Sequence, residues 1–347
     1  MVQKIVACCT TIPSRMHYLE TPIKSMLYQT LPIDKFYIFI PKFSKKENKN
    51  YPEIVFDKKL KKEDNIFIDC DSDKVCVYTA KEDYGPITKL YPITFISKVE
   101  MGFNEDDEVL IINVDDDRDY MPDTVESLVK AYNANNKSCA VGITGWIYGS
   151  GFNKWVKVSS PKKETIVDWL EASYGVLYPY QLLLDIGKSF ENFDLCPEAR
   201  YCDDIWICYW LKKFNKEHPY VYAVNLLSHN PINDTYEELQ PSTEAKYINA
   251  LHYDATEKTK EVSGLWGLFN TGKRYYNVVS KLSELDKDFI NAKDLETTFS
   301  ERIVSPYQFT WWLIICYGFL ILVFISIITF FIIAAFRSKR IHQTQVV

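Results

Sequence analysis

Three adjacent carboxylates, Asp115, Asp116 and Asp117, have the types and spacing that most directly suggest chemistry. At neutral pH they repel one another unless a cation lies among them. They follow residues 109–114, an apolar run rich in β-branched side chains that predicts a buried strand. Ligands of α/β proteins bind beyond the carboxyl ends of such strands. Oxygen ligands there suit Mn²⁺ or Mg²⁺ carrying a diphosphate, and a solvated acidic turn is the alternative.

A calcium-binding EF-hand loop is a second interpretation of the same residues. Asp115, Asp117, Asp119 and Glu126 fall at loop positions 1, 3, 5 and 12. However, Tyr120 stands where the sharp turn needs glycine, and a strand precedes the loop instead of a helix. The sequence therefore favours a strand-end metal site over an EF-hand.

A second acidic pair, Asp203 and Asp204, opens a segment that is apolar nearly all round. Residues 201–211 predict a buried helix, and the helix dipole favours anions at its N-terminus. The local sequence therefore allows either a pair that caps the helix or a chemically active pair.

Two cations, Arg15 and Lys89, could meet phosphate oxygens or could be surface charges.

The elements that must position these residues begin with a β-α-β pattern. Residues 4–9 predict a strand, residues 10–15 a turn, residues 16–29 a helix and residues 36–40 a second strand. This order predicts a parallel sheet with a right-handed crossover.

Further along the chain the patterns are shorter. Residues 42–64 are rich in Lys, Asn and Glu and indicate a mobile surface excursion. Other patterns predict short strands at 66–68 and 75–78, helices at 90–99 and 122–132, a strand at 140–147, and amphipathic helix with linker at 274–305.

Composition excludes several classes of protein. The formal net charge is -6, and the part before the apolar C-terminal run has no basic stripe, which argues against nucleic acid as a partner. The nine cysteines show no paired CxxC spacing, which argues against zinc and favours a reducing compartment.

Residues 309–336 are apolar without a single charge, and about 20 apolar residues span a bilayer. We expect a single-pass C-terminal anchor that leaves the large domain in the cytosol. Three basic residues in the tail 337–347 favour the opposite orientation by the positive-inside rule. In that case the domain would be lumenal, and the sequons at Asn136 and Asn233 could be N-glycosylated. The expected organisation is a catalytic domain, a helical linker, the span and a basic tail, at 1–270, 271–308, 309–336 and 337–347.

Six segments in order resemble nucleotide-sugar glycosyltransferases of the GT-A fold, close to family 2. They are TTIPSR, SMLYQTLPIDKFYIFIP, DYGPITKL, NVDDDRDYMP, WLEASYGVLY and CDDIWICYWL, at 10–15, 25–41, 83–90, 113–122, 169–178 and 202–211. The resemblance implies a Rossmann-like α/β fold whose mostly parallel central sheet is flanked by helices. Tyr174 replaces the first glycine of the usual Tyr-Gly-Gly segment, which leaves the acceptor contacts open.

The resemblance also implies roles for individual residues. Asp115 and Asp117, in an Asp-x-Asp motif, are expected to hold Mn²⁺ or Mg²⁺, with a late histidine, His252 or otherwise His229. Asp204 is the expected catalytic base, with Asp203 as its substitute. The expected nucleotide-sugar contacts are Thr11, Pro13, Arg15, Gly85, Lys89, Asp115 and Asp116.

The function expected from these residues is an inverting transfer of a hexose or pentose to an acceptor hydroxyl. The donor would be a UDP- or GDP-sugar, and the acceptor a glycan, lipid or protein. An inactive GT-A-like module that binds at a membrane is the main alternative. A metal-dependent phosphohydrolase is a third possibility, although it would require more histidines than the five present.

Overall fold

Short apolar strands, separated by polar turns, form the centre of this chain in a computed structural model. The structure describes residues 2–70, 73–135, 137, 139–148, 155–159, 165–214, 221–223 and 277–286. The α-helices include α1 (Glu20–Leu27), α2 (Thr124–Ala134), α3 (Tyr180–Gly187) and α4 (Asp203–Phe214). Residues 277–285 are also helical.

Fifteen strands are found among the described residues. They are β1 (Gln3–Cys9), β2 (Lys35–Pro41), β3 (Phe43–Ser44), β4 (Lys49–Asn50), β5 (Ile54–Val55), β6 (Ile66–Phe67), β7 (Val75–Ala80), β8 (Glu108–Asn113), β9 (Ala140–Gly142), β10 (Thr144–Tyr148), β11 (Trp155–Ser159), β12 (Thr165–Val167), β13 (Trp169–Leu170), β14 (Val176–Pro179) and β15 (Val221–Ala223).

The central sheet has eight strands in the order β12-β15-β9-β14-β8-β1-β2-β7. The block β7-β2-β1-β8 is parallel throughout, as predicted for β1 and β2. These four strands have the order found in Rossmann-type sheets. The strand order reverses between β1 and β8, because β2 and β7 lie on one side of β1 and β8 lies on the other. The strand β14 then pairs antiparallel with both β8 and β9. The fold is therefore mixed α/β with a central sheet rich in parallel pairs.

Strand β8 shows how helices cover both faces of this sheet. Val109 and Ile111 belong to the core cluster that contains α3 and α4. Leu110 and Ile112 belong to the opposite cluster, together with buried side chains of α1 and α2. Successive side chains of a strand point to opposite faces, so a strand with both faces covered is apolar on both, as β8 is from Val109 to Ile112.

Three of the predicted segments differ from the structure. No α-helix forms at 90–99, where the short 3₁₀ helix Tyr91–Phe95 is found instead, preceded by a second 3₁₀ helix, Gly85–Lys89. Pro86 and Pro92 stand near their starts, and proline suits a first helical turn but disrupts a helix that runs through it. Residues 42–64, predicted to be an excursion, contain the two-stranded sheet β3-β4 and the strand β5, which pairs with β6 just beyond the segment.

The strand predicted at 140–147 is two strands in different sheets. β9 lies in the central sheet, whereas β10 pairs antiparallel with β11 and β13. A Cβ at Gly145 would lie 2.6 Å from a methyl carbon of Val167 and 2.8 Å from the carbonyl oxygen of Trp169. Glycine therefore permits this close approach of the two sheets.

The predicted transmembrane segment 309–336 and the tail 337–347 lie outside the described residues. Within the described ranges, no helix is both long and apolar enough to cross a membrane. The boundaries predicted at 270 and 308 stay predictions. The eight cysteines in the described ranges are free thiols.

Candidate functional site

The candidate site lies where the chain leaves β1 and β8, the two strands at the reversal of strand order. The loop after β1 carries Thr11, Pro13 and Arg15, and the loop after β8 carries Asp115 to Asp117. Ligands of open α/β sheets bind outside the carboxyl ends of the strands at this reversal. The strand order alone therefore brings two of the predicted segments together at a ligand-binding position.

Arg15 joins these two loops. Its Nη2 lies 2.7 Å from Oδ1 of Asp116 and 2.5 Å from Oδ2 of Asp117, and all three side chains are nearly buried. The Thr11 hydroxyl donates a 2.5 Å hydrogen bond to the other Asp116 oxygen. Burial raises the pKa of Asp116 to about 6 with help from the Asp117 charge, although Arg15 lowers it. Pro13 starts the 3₁₀ helix Pro13–Tyr18, which carries Arg15.

Lys89 makes the second bridge, between the β8 loop and helix α4. Its Nζ lies 2.9 Å from Oδ1 of Asp115 and 2.9 Å from Oδ2 of Asp203. Burial by itself would lower the pKa of Lys89, but the surrounding carboxylates of Asp115, Asp203 and Asp204 raise it well above its ordinary value. Burial likewise favours neutral Asp115, but the Lys89 ammonium holds the pKa of that carboxyl below its usual value.

Asp204 differs from its neighbour in its surroundings. Burial, followed by the charge of Asp203, raises the pKa of Asp204 well above its ordinary value, and Lys89 only partly offsets this. One Asp204 oxygen accepts a 3.3 Å hydrogen bond from the backbone N–H of Ala172. The two aspartates predicted as base and substitute are thus distinct, because Asp203 is ion-paired to Lys89 and Asp204 is held by a backbone amide.

We use the name aspartate cluster for Asp115, Asp116, Asp117, Asp203 and Asp204. The structure brings all five together with Arg15 and Lys89. Gly85 starts the 3₁₀ helix that ends at Lys89, and its φ of +74° suits glycine. His252 and His229 lie outside the described residues, so a histidine ligand stays a prediction.

Several supporting residues were not predicted from sequence. The Tyr120 hydroxyl accepts a 2.7 Å hydrogen bond from the backbone N–H of Asp115 and so fixes the start of the aspartate turn. Tyr51 donates to the Thr11 carbonyl at 2.8 Å, and Glu47 accepts from Ser14. The Tyr-x-Pro at residues 120–122, at the end of the segment NVDDDRDYMP, is a local signal that could have found Tyr120. Nothing local signalled Glu47 or Tyr51, which are distant in sequence.

The carboxylates of the aspartate cluster can be compared with the ligands that Mn²⁺ or Mg²⁺ requires. Within the described ranges, no group of three or more His, Cys, Asp or Glu side chains could hold a metal ion. Mg²⁺ at diphosphate sites is usually held by one or two carboxylates plus substrate phosphates and water, not by an all-protein cage. Asp115 and Asp117 are the two carboxylates that could serve in such an arrangement, and in the structure they are ion-paired to Lys89 and to Arg15, respectively. Adding an anionic diphosphate to five aspartates also creates negative charge that a divalent cation would offset.

Neither a scan against protein-family models nor a search of the curated proteins finds a match to this chain. Among solved structures, the chain is similar to Francisella tularensis 2-C-methyl-D-erythritol 4-phosphate cytidylyltransferase, at 13% identity and a TM-score of 0.37 over 72% of this chain and 100% of the other. It is also similar to S. aureus TarS 1-349, at 13% identity and a TM-score of 0.32 over 83% and 82% of the two chains. Because both TM-scores lie below 0.5, the fold assignment rests on the strand order of the chain itself.

Proposed function

We propose that this chain is a metal-dependent glycosyltransferase that moves a sugar from a nucleotide-sugar donor to an acceptor hydroxyl with inversion. The supporting observation is the aspartate cluster, which meets Arg15 and Lys89 at the strand-order reversal between β1 and β8. Sheets of this kind bind nucleotides at that position.

The two cations would serve the donor diphosphate. Arginine binds phosphate through two parallel hydrogen bonds, and lysine binds it as a point charge. Arg15 and Lys89 already lie between carboxylates, so phosphate oxygens would compete with those carboxylates for the same N–H groups. Mn²⁺ or Mg²⁺ bound by Asp115 and Asp117, with His252 as a further candidate ligand, would neutralise charge that develops on the leaving diphosphate.

Asp204 is the base that we propose for the acceptor hydroxyl. A carboxylate whose pKa is raised is a stronger base, and burial raises the pKa of Asp204. The Ala172 N–H orients one of its oxygens. In the transfer, the acceptor hydroxyl would give its proton to Asp204 while its oxygen bonds to the anomeric carbon and the diphosphate leaves. Asp203 is less suited, because it is ion-paired to Lys89.

The remaining parts of the proposal concern partners and location. The donor would be a UDP- or GDP-sugar, and the acceptor a glycan, a lipid or a protein. Residues 309–336 would anchor the chain in a membrane, with the catalytic domain in the cytosol. The apolar, uncharged sequence of this segment supports the anchor.

An inactive GT-A-like binding protein is the second candidate function. The observation that favours it is that Arg15 and Lys89 already pair with four of the five aspartates. Buried networks of this kind can serve structure alone. In that case the cluster would hold its loops together and would not process a donor.

Two measurements on the full-length chain, donor binding and turnover across UDP- and GDP-sugars, distinguish the two candidates. The assay is run with Mn²⁺, with Mg²⁺ and with EDTA, for the wild type and for Asp117→Asn and Asp204→Asn. We expect metal-dependent donor binding that is lost in D117N, whereas D204N keeps binding and loses turnover. Asp119→Asn is the matched control, because that exposed aspartate lies outside the cluster. Failure of the wild type to bind any donor with metal present would favour the inactive module.

A further inference from the structure

A lysine-rich hairpin lies beside the candidate site. It consists of residues 42–51, in which β3 pairs antiparallel with β4. Ser44 is fully buried, and its hydroxyl accepts a 3.2 Å hydrogen bond from the backbone N–H of Glu47. Asn48 takes a φ of +53°, a conformation that Asn tolerates better than most residues. The hairpin therefore has a defined conformation despite its charged sequence.

The hairpin bonds to the loop that carries Arg15. The Glu47 carboxylate accepts from the backbone N–H of Ser14 at 3.1 Å and also from the Ser14 hydroxyl. Tyr51 Oη donates to the Thr11 carbonyl at 2.8 Å. Ser14 directly precedes Arg15, so these hydrogen bonds fix the backbone at two points of the loop that leads into Arg15, whose side chain reaches Asp116.

The same hairpin bonds to the segment that carries Lys89. The backbone N–H of Lys45 donates to one Asp83 oxygen at 2.7 Å, and the N–H of Gly85 donates to the other at 2.9 Å. Gly85 begins the 3₁₀ helix whose last residue is Lys89. Asp83 therefore links the hairpin to the start of the helix that positions Lys89.

We propose that this hairpin is a brace that sets the positions of Arg15 and Lys89, with Glu47 and Asp83 as positioning residues for donor binding. The inference rests on the proposed function, because it assigns the two cations to the donor diphosphate. The two cations lie on separate loops, and gripping one diphosphate requires a fixed spacing between them. The hairpin is hydrogen-bonded to both loops and supplies that spacing.

The brace predicts a specific kinetic pattern. Glu47→Ala should raise the KM for the donor about tenfold, because charge-assisted hydrogen bonds to the Arg15 loop are lost. The value of kcat should change less than about twofold, since Asp204 and the acceptor side are unaltered. Glu47→Gln should recover part of the loss, because a carboxamide oxygen still accepts from Ser14. Glu53→Ala, at an exposed residue just beyond the hairpin, is the matched control.

A double-mutant cycle separates positioning from a general loss of fold. We measure donor Kd for the full-length wild type, E47A, Arg15→Lys and the double variant, with thermal denaturation of each. Positioning predicts that the fold-changes of E47A and R15K combine to less than their product, because both act through the same guanidinium. Fold-changes that multiply, or a donor KM unchanged in E47A, would overturn the brace.

Two further outcomes are informative. If E47A fails to fold, Tyr51→Phe removes a single hydroxyl from the same loop contact and is put through the same cycle with the same criteria. A wild type that binds no donor with metal present would overturn the proposed function and the brace with it. A wild type that binds donor while E47A and Y51F bind equally well would overturn the brace alone.

Discussion

The Lys89 ammonium lies 2.9 Å from a carboxylate oxygen of Asp203, and both side chains are more than nine-tenths buried. This ion pair joins the 3₁₀ helix Gly85–Lys89 to the first turn of α4. The same ammonium reaches Asp115 after β8. One lysine therefore connects three separate parts of the chain at the carboxyl edge of the sheet.

Removing this lysine should destabilise the fold. Lys89→Met leaves buried carboxylates without their counter-charge, and breaking a buried pair on one side typically costs about 3 kcal/mol. We expect the free energy of unfolding in urea to fall by about that amount. Lys24→Met is the control, because the Lys24–Glu20 pair is exposed and solvent screening leaves it little effect on stability. Equal effects of K89M and K24M would contradict a buried bridge.

Replacing Asp204 should have the opposite effect on stability. Its pKa is raised in the folded chain, first by burial, so near neutral pH ionised Asp204 opposes folding. Asp204→Asn should therefore raise the melting temperature at pH 7. The gain should shrink as the pH falls towards about 4, where an unfolded aspartate also becomes protonated.

Asp203→Asn provides the comparison, since it removes the negative charge that pairs with Lys89 and keeps a side chain of the same size at that position. We expect D203N to lower the melting temperature at pH 7 while D204N raises it. Calorimetric scans of both variants at several pH values measure this. A lower melting temperature for D204N than for D203N would show that the two aspartates are not distinguished in this way.

Asn113, the last residue of β8, is a buried polar side chain two residues before Asp115, and we expect it to lower the stability of the fold. Its side chain is fully buried, and among the described residues neither its oxygen nor its nitrogen has a hydrogen-bond partner. A buried amide of this kind costs about 1–3 kcal/mol. Asn113→Leu keeps the branched shape, and we expect it to raise the free energy of unfolding by about 1 kcal/mol. Ile112→Leu, on the opposite face, controls for repacking, and a clear loss of stability confined to N113L would refute this account.

Much of the fold follows from local sequence patterns. β1, β2, β8, α2 and α4 lie close to their predicted positions, because apolar runs and helical spacing are local signals. The antiparallel insertion of β14 between β8 and β9 was not predicted, since strand pairing depends on residues far apart in sequence.

The aspartates, Arg15 and Lys89 that were singled out from sequence lie together in the fold, but the ion pairs among them were not predicted. Phosphate oxygens are the expected partners of Arg15 and Lys89, whereas the structure pairs both side chains with aspartates. Contact with phosphate stays a prediction. The strands within residues 42–64 could not be predicted from composition, because a charged, polar segment has no hydrophobic pattern that indicates strands. The contacts of Glu47 and Tyr51 could not be predicted either, because they are made to the loop after β1, which is distant in sequence.

The most direct test of the central claim is calorimetric titration of UDP and GDP into the full-length chain, with Mn²⁺ and then with EDTA. The account predicts that one of the two nucleotides binds with Mn²⁺, that EDTA weakens binding at least tenfold, and that Arg15→Met abolishes it while Lys24→Met has no effect. If neither nucleotide binds in the presence of Mn²⁺, or if R15M binds as the wild type does, the aspartate cluster is not a nucleotide diphosphate site.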